Sequence, residues 1–433
     1  MRVAWSRAQV GRWANDVFVA GVVAVMAGAL APWFASGRGV GDGLVLQGVF
    51  GAAYLVAGLL LLVRVVRRRR VRMHAWTWWP LAFLGLATLS LLWSDVPDLT
   101  LRRVVALAGT LVFAGWISET MDARRALRSV ALGLIAIAAA SFVMLAVAPH
   151  VAVHASGMHA GNWRGALLHK NLLGREMALA TTLALGLAVL APRRRRAVWL
   201  GIAAATALLV LGARSATGMV LLSVGAATVM LASVPAIGQR ERMGRHVLIV
   251  AALSAGVVLI GVLGVTILGA LDRDLTFTGR DRIWEVTVAL LRDRAWTGAG
   301  YGAFWDGPGG AAVSAALGYY VGHAHNGLLQ VATALGVPGV LLLLTLYLGA
   351  IVRALRAPAL RSARPLVLGF FVHVAVLSFS DAVMAGPNSL ALTLTVALVL
   401  MGPGGTADAP VARAHDASIE RPPERAGPDG AVA

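Results

Sequence analysis

Long apolar runs separated by short polar connections occupy most of this chain of 433 residues. An α-helix rises about 1.5 Å per residue, so roughly 20 apolar residues in a row cross the ~30 Å of hydrocarbon in a bilayer. Twelve runs fit, beginning near Val17, Leu44, Trp76, Leu101, Leu127, Leu172, Ala197, Met219, Val247, Gly327, Pro365 and Ser389. The pattern predicts an all-α polytopic membrane protein of about 12 transmembrane helices. Two connections on one side are long, 149–171 and 272–326. The second, a large loop between helices nine and ten, has room for small helices of its own. Within it, 280–292 reads as an amphipathic helix, with Ile283, Val286, Val288, Leu290 and Leu291 among charged positions, suited to lie along the membrane surface. Residues 297–310, rich in Gly and aromatics, read as an ordered, turn-rich loop. The transmembrane domain is expected over 1–403. From 404 to 433, Ala, Pro, Gly and charges mix without periodicity, which predicts a disordered tail.

Composition agrees with membrane residence: 58% of residues are hydrophobic, 13% are charged, and the mean hydropathy is +0.77. The formal charge of +18 would suggest a nucleic-acid partner in a soluble protein. Its distribution points elsewhere. Basic clusters such as Arg64 to Arg72, Arg193 to Arg196 and Arg353 to Arg364 fall in every second connection, the bias of cytoplasmic loops, so both termini are expected in the cytoplasm and no nucleic acid is implied. The first run, preceded by Arg2, Arg7 and Arg12, ends in the small-x-small pattern Ala29-Leu30-Ala31. Pro32 would directly follow a cut there, so the segment is read as an uncleaved helix. Cysteine is absent, which removes disulfides, thiolate nucleophiles and thiolate metal sites.

Twelve basic residues fall on the opposite side, where topology does not require them: Arg38, Arg102, Arg103, Arg164, Lys170, Arg175, Arg214, Arg273, Arg280, Arg282, Arg292 and Arg294. Arg214 stands in a short turn between two apolar helices. A guanidinium so close to hydrocarbon either meets an anion or snorkels to headgroups. Arg280, in Gly279-Arg280-Asp281-Arg282, either serves a site or pairs with Asp281 or Glu285. His169-Lys170-Asn171 closes the first long loop at the mouth of a helix, where the positive dipole end and the only lysine of the chain suit phosphate. His323 and His325 enter a helix through Asn326, two residues apart, so that extended backbone would point both imidazoles the same way. Asp272-Arg273-Asp274 resembles the paired carboxylates of metal-dependent sugar transferases, although so short a pattern is common by chance.

Several of these residues together resemble the O-antigen ligase and O-antigen polymerase superfamily. The match runs through His325-Asn326, nine residues, then Gly336-Val337-Pro338-Gly339; through Gly279-Arg280 with Trp284; through Trp296-Thr297-Gly298-Ala299-Gly300-Tyr301-Gly302-Ala303-Phe304-Trp305; and through Arg214-Ser215 and His169-Lys170-Asn171 after Gly165. It departs at Gly218, where some ligases carry Leu after three residues that follow the arginine.

The resemblance implies glycan transfer at the periplasmic face of a bacterial inner membrane. The donor would be an undecaprenyl-diphosphate-linked glycan, and the acceptor a sugar hydroxyl on lipid A-core or on a second lipid-linked repeat unit. The residues suit that chemistry. Arg214 and Arg280 offer forked donors to a diphosphate leaving group, Lys170 adds a charge, and His325 is the candidate base. His169, Asn171, His323, Arg282 and Asn326 are expected to contact substrate. Arginines can neutralise the leaving group, so neither a metal nor another cofactor is required. A lipid-linked oligosaccharide flippase or polysaccharide transporter is the alternative. It would place its unusual charges near the bilayer midplane, not at one surface.

Overall fold

A computed structural model describes residues 6–34, 43–68, 75–233 and 280–402. The ninth expected span near Val247, the Asp272 and Asp274 pattern and the tail from Gly404 lie outside the described residues. The main helices are α1 (Arg7–Met26), α2 (Leu44–Arg68), α3 (Trp78–Leu89), α4 (Pro97–Thr120), α5 (Ala123–Val147), α6 (Lys170–Leu190), α7 (Arg193–Ala213), α8 (Ala216–Ser233), α9 (Arg280–Leu291), α10 (Pro308–Leu317), α11 (Gly327–Arg356), α12 (Arg364–Ser378) and α13 (Leu390–Leu400). There is no strand among the described residues.

Nine helical segments among the described residues are long and apolar enough to cross a membrane: Leu44–Arg67, Ala75–Trp93, Pro97–Thr120, Ala123–Val147, Lys170–Leu190, Arg193–Ala213, Ala216–Ser233, Gly327–Arg356 and Leu360–Ser378. Two expected spans differ. Helix α1 has 20 residues but carries Arg7, Arg12 and Asp16, and falls outside that set. The run expected from Ser389 forms a helix of only 11 residues, about 17 Å long, because the chain turns to extended backbone at Met401.

Arginines gather one end of the bundle. Arg64 faces Glu119 at 3.8 Å, Arg124 donates to the Leu190 carbonyl at 2.8 Å, and Arg353 donates to that of Met401 at 2.6 Å. These contacts join the ends of α2 and α4, of α5 and α6, and of α11 and α13. Helices α6 and α12 are the most enclosed spans. Glycine permits the close packing of α6, since a Cβ on Gly174 would come within 2.7 Å of Ser215 and one on Gly186 within 2.6 Å of Leu366. Gly218, which stands where some ligases of the resembled family carry Leu, lies against Gly174. A Cβ there would sit 2.9 Å from its Cα, so this pair of helices has no room for Leu.

At the other end the described part of the large loop folds into a small core of its own. Ile283, Ala299, Phe304, Trp305, Val313, Val321 and Ala324 are buried together, with Trp284 and Val286 packed on them. Helix α9 packs on that core through Ile283 and Val286, while its Val288 and Leu290 are exposed. The loop does carry small helices, α9, a turn at Ala303–Asp306 and α10.

Candidate functional site

The Gly336-Val337-Pro338-Gly339 segment fixes the loop to the bundle. Helix α11 breaks at Gly336, whose φ of 64° is open to glycine at little cost, and Pro338 follows. The break frees backbone groups that the loop satisfies: Val337 N–H donates to Ala295 at 2.8 Å, Ala299 N–H to Thr333 at 2.9 Å, and Gly300 N–H to Ala334 at 3.1 Å. Contact is so close that a Cβ on Gly336 would lie 2.4 Å from the Trp296 backbone, and one on Gly298 2.5 Å from that of Ala334. Ten residues upstream of Gly336, the Asn326 carboxamide oxygen caps α11, accepting from Leu328 and Leu329 N–H at 3.0 Å each.

Between these anchors the two histidines are set by Ala324. Its N–H donates to Gln330 Oε1 at 2.9 Å, its carbonyl accepts from Trp284 Nε1 at 2.8 Å, and its methyl is fully buried. His323 and His325 flank it, with ring centroids 3.8 Å apart. Their approach does not come from extended backbone. His325 adopts a left-handed conformation (φ 51°), uncommon outside glycine, and its N–H donates to His323 Nδ1 at 3.2 Å. Neutral His323 thus carries its proton on Nε2. Trp284 also explains the Arg280 to Trp284 spacing, because four residues on a helix share a face: the indole that grips the histidine turn brings Arg280 beside it.

The charge at the centre of this group is Asp381, just past α12. Its carboxylate pairs with Arg175, whose Nε also donates to Glu176 Oε1 at 3.1 Å. Asp381 acts electrostatically on Arg280, His323 and His325 as well. Burial works to raise its pKa, but Arg175, His323 and His325 hold it below the usual carboxylate range. Burial, His323 and Arg280 lower His325 to about 4, with Asp381 opposing; His323 is lowered too, chiefly by burial. Burial lowers the Arg280 pKa and Asp381 raises it. The structure thus brings together Arg280, His323, His325, Arg175 and Asp381. Sequence reasoning named the first three and missed the pair. Arg175 carried a usable signal, a cation inside an apolar helix. Asp381 gave none, standing alone in a short connection 206 residues away from its partner.

The second expected group sits at the start of α6. Asn171 Oδ1 accepts from the buried Ser215 hydroxyl at 3.1 Å, and Lys170 Nζ donates to the Arg214 carbonyl at 3.1 Å, tying α6 to the turn between α7 and α8. The Arg214 side chain is exposed and has no hydrogen bond or ion pair among the described residues. His169 Nδ1 accepts the Asn171 N–H at 3.2 Å, and His154 Nε2 accepts that of Lys170 at 3.2 Å. Imidazoles therefore occupy the first two N–H groups of α6, which an anion was expected to use. Arg282 is exposed, about 200° around α9 from Arg280, and joins neither group.

A cavity of about 1480 Å³ runs along α2 and α4, from Gln47 and Arg103 to Leu62 and Val112, and reaches Gly322 and Ala382, the chain neighbours of His323 and Asp381. Most of its surface is apolar. Among the described residues, no group of three or more His, Cys, Asp or Glu side chains is arranged to hold a metal ion.

Comparisons with known proteins meet this geometry. Residues 201–344 match a family described as O-Antigen ligase, a segment that includes Arg214, Arg280, His323, His325 and the Gly336 break. The chain is also 27% identical over 409 residues to the exopolysaccharide production protein ExoQ of Rhizobium meliloti (strain 1021), covering 86% of this chain and 91% of that protein. The matched segment and the chain-long relative both support the resemblance to the O-antigen ligase and O-antigen polymerase superfamily.

Proposed function

We propose that this protein is a membrane glycosyltransferase of the ligase and polymerase type, moving a glycan from undecaprenyl diphosphate to a sugar hydroxyl at the periplasmic face of the inner membrane. The observation that carries this reading is the convergence of two imidazoles, two guanidiniums and one carboxylate at a single end of the bundle, beside an apolar cavity. The acceptor oxygen attacks the anomeric carbon, the bond from that carbon to the diphosphate oxygen breaks, and the hydroxyl proton passes to His325. Undecaprenyl diphosphate leaves with the bonding electron pair. Arg280 meets the charge that develops on it, Arg214 supplies a second fork, and Lys170 adds a third cation. The polyprenyl tail lies in the cavity along α2 and α4.

A base whose pKa is about 4 is unprotonated at neutral pH but weak. The donor corrects this. Its diphosphate brings negative charge next to His325, which favours the imidazolium and strengthens the base when there is a proton to take. Asp381 acts in the same direction, while its pairing with Arg175 keeps it ionised. Among acceptors, a second lipid-linked repeat unit is favoured over lipid A-core, since the chain-long relative is described by exopolysaccharide production.

His325→Ala tests the reading. The variant is expected to insert and fold, because the ring is half-buried and Ala324 and Asn326 hold the turn, yet to lose surface glycan. A base of this kind contributes about 10²- to 10⁴-fold. Polymer at near wild-type levels in cells making His325→Ala would remove His325 from the chemistry. His323→Ala should be milder.

A further inference from the structure

A second set of imidazoles stands at the start of α6. The rings of His154, His159 and His169 lie 5.0 to 5.8 Å apart, centroid to centroid, each against the other two. His154 and His169 each give one nitrogen to a backbone N–H, at 3.2 Å in both cases. An accepting nitrogen carries no proton, so the neutral ring holds its hydrogen on the other: Nδ1 in His154, Nε2 in His169. Two N–H donors are fixed by the fold, and their rings are locked away from metal coordination through the nitrogens already used. The charged groups acting on these two rings are Arg164, Lys170 and His159, all basic. Lys170 spends one of its three N–H donors on the Arg214 carbonyl, and Arg164 Nε donates to the Val151 carbonyl at 2.5 Å. The His159 carbonyl accepts from Asn162 N–H at 3.0 Å, but its ring makes only ring contacts and no hydrogen bond among the described residues. All five side chains are partly exposed. Donors are in surplus here, and among the described residues neither carboxylate nor free helix terminus answers them.

We propose that His154, His159 and His169 with Lys170 form a phosphoryl-binding subsite. Neutral imidazole N–H groups and one ammonium suit the oxygens of a phosphate ester or diphosphate, which accept several hydrogen bonds at once. The subsite deepens the function proposed above, on which its physiological occupant rests: a phosphoryl group of the carrier lipid, held beside Arg214 through the same turn that Lys170 grips.

Binding of inorganic diphosphate tests this without turnover. The full-length chain carrying Arg280→Ala and His325→Ala, in zwitterionic lipid nanodiscs, removes two side chains of the other cluster from the measurement, and Arg214 is common to every variant compared. It should bind radiolabelled diphosphate in equilibrium dialysis, and adding His159→Ala should weaken that affinity about tenfold or more. His159 caps nothing, so the substitution spares α6; His159→Gln, which restores a side-chain N–H donor, should recover part of the affinity. Nitrogen-15 spectra should place the protons of His154 and His169 on Nδ1 and Nε2, with shifts on adding diphosphate. Unchanged affinity in His159→Ala, or sodium glucuronate bound in preference to diphosphate, would overturn the proposal. A failure of glycan transfer in the wild-type protein would instead count against the function, since these variants are not asked to turn over.

Discussion

Asp381→Asn probes the junction that sequence did not reveal. The amide keeps the shape of the side chain and removes the charge that Arg175, Arg280, His323 and His325 share. Breaking a buried ion pair from one side costs about 3–5 kcal/mol when nothing replaces the lost partner. Here the side chains of Arg175 and Asp381 are 18% and 27% exposed, and Arg175 keeps Glu176 at 3.1 Å, so about 2–3 kcal/mol is expected. Expressed in the transition state, that is a loss of roughly 30- to 150-fold in kcat/KM. The assay is glycan transfer by purified protein in nanodiscs, with thermal unfolding measured alongside to separate chemistry from folding. The pH profile adds a signed check. His325 acts as a base only when unprotonated, so kcat/KM is present above its pKa and falls as pH drops through about 4. Because Asp381 raises that pKa, its loss should move the acid limb to lower pH. Transfer within threefold of wild type, or a limb that moves upward, would refute the reasoning.

Two further outcomes follow from geometry. If Arg214 and Arg280 grip diphosphate through forked donors, Arg→Lys at either position should fail nearly as badly as Arg→Ala in the same transfer assay, because Lys keeps charge and loses the fork; full activity in both Lys variants would reduce them to generic cations. Gly336→Ala should lower the unfolding temperature and detach the loop, since it combines a left-handed backbone with a Cβ 2.4 Å from Trp296, at a cost of about 1–3 kcal/mol for the backbone alone; limited proteolysis of the loop should rise with it, and unchanged melting would contradict the docking described.

What was legible in sequence and what was not divides along physical lines. Apolar run length showed most of the spans, because the bilayer imposes its thickness on every helix, and arginine placement marked several ends that meet, as where Arg124 reaches the Leu190 carbonyl. The run from Ser389 misled because composition cannot show where backbone turns extended at Met401. Arg280, His323 and His325 were legible because they cluster within one loop and its following helix. Arg175 and Asp381 were not, since their meeting depends on α6 packing against α12 through Gly186 and Leu366. The first backbone N–H groups of α6 looked ready for an anion until the fold placed His154, sixteen residues upstream, onto the Lys170 N–H, leaving side-chain donors in their stead. Spacing rules do not reach contacts between a loop and a helix of that kind.

The central claim is that this protein breaks a glycosyl phosphate bond using its own cations and a histidine. Purified full-length protein in nanodiscs, given undecaprenyl-diphosphate-linked repeat unit as both donor and acceptor with EDTA present, should release undecaprenyl diphosphate and elongate the glycan. Intact donor despite folded protein would contradict transfer and favour a flippase. Activity lost on chelation and restored by a divalent ion would contradict the metal-free mechanism and return Asp272 and Asp274 to consideration.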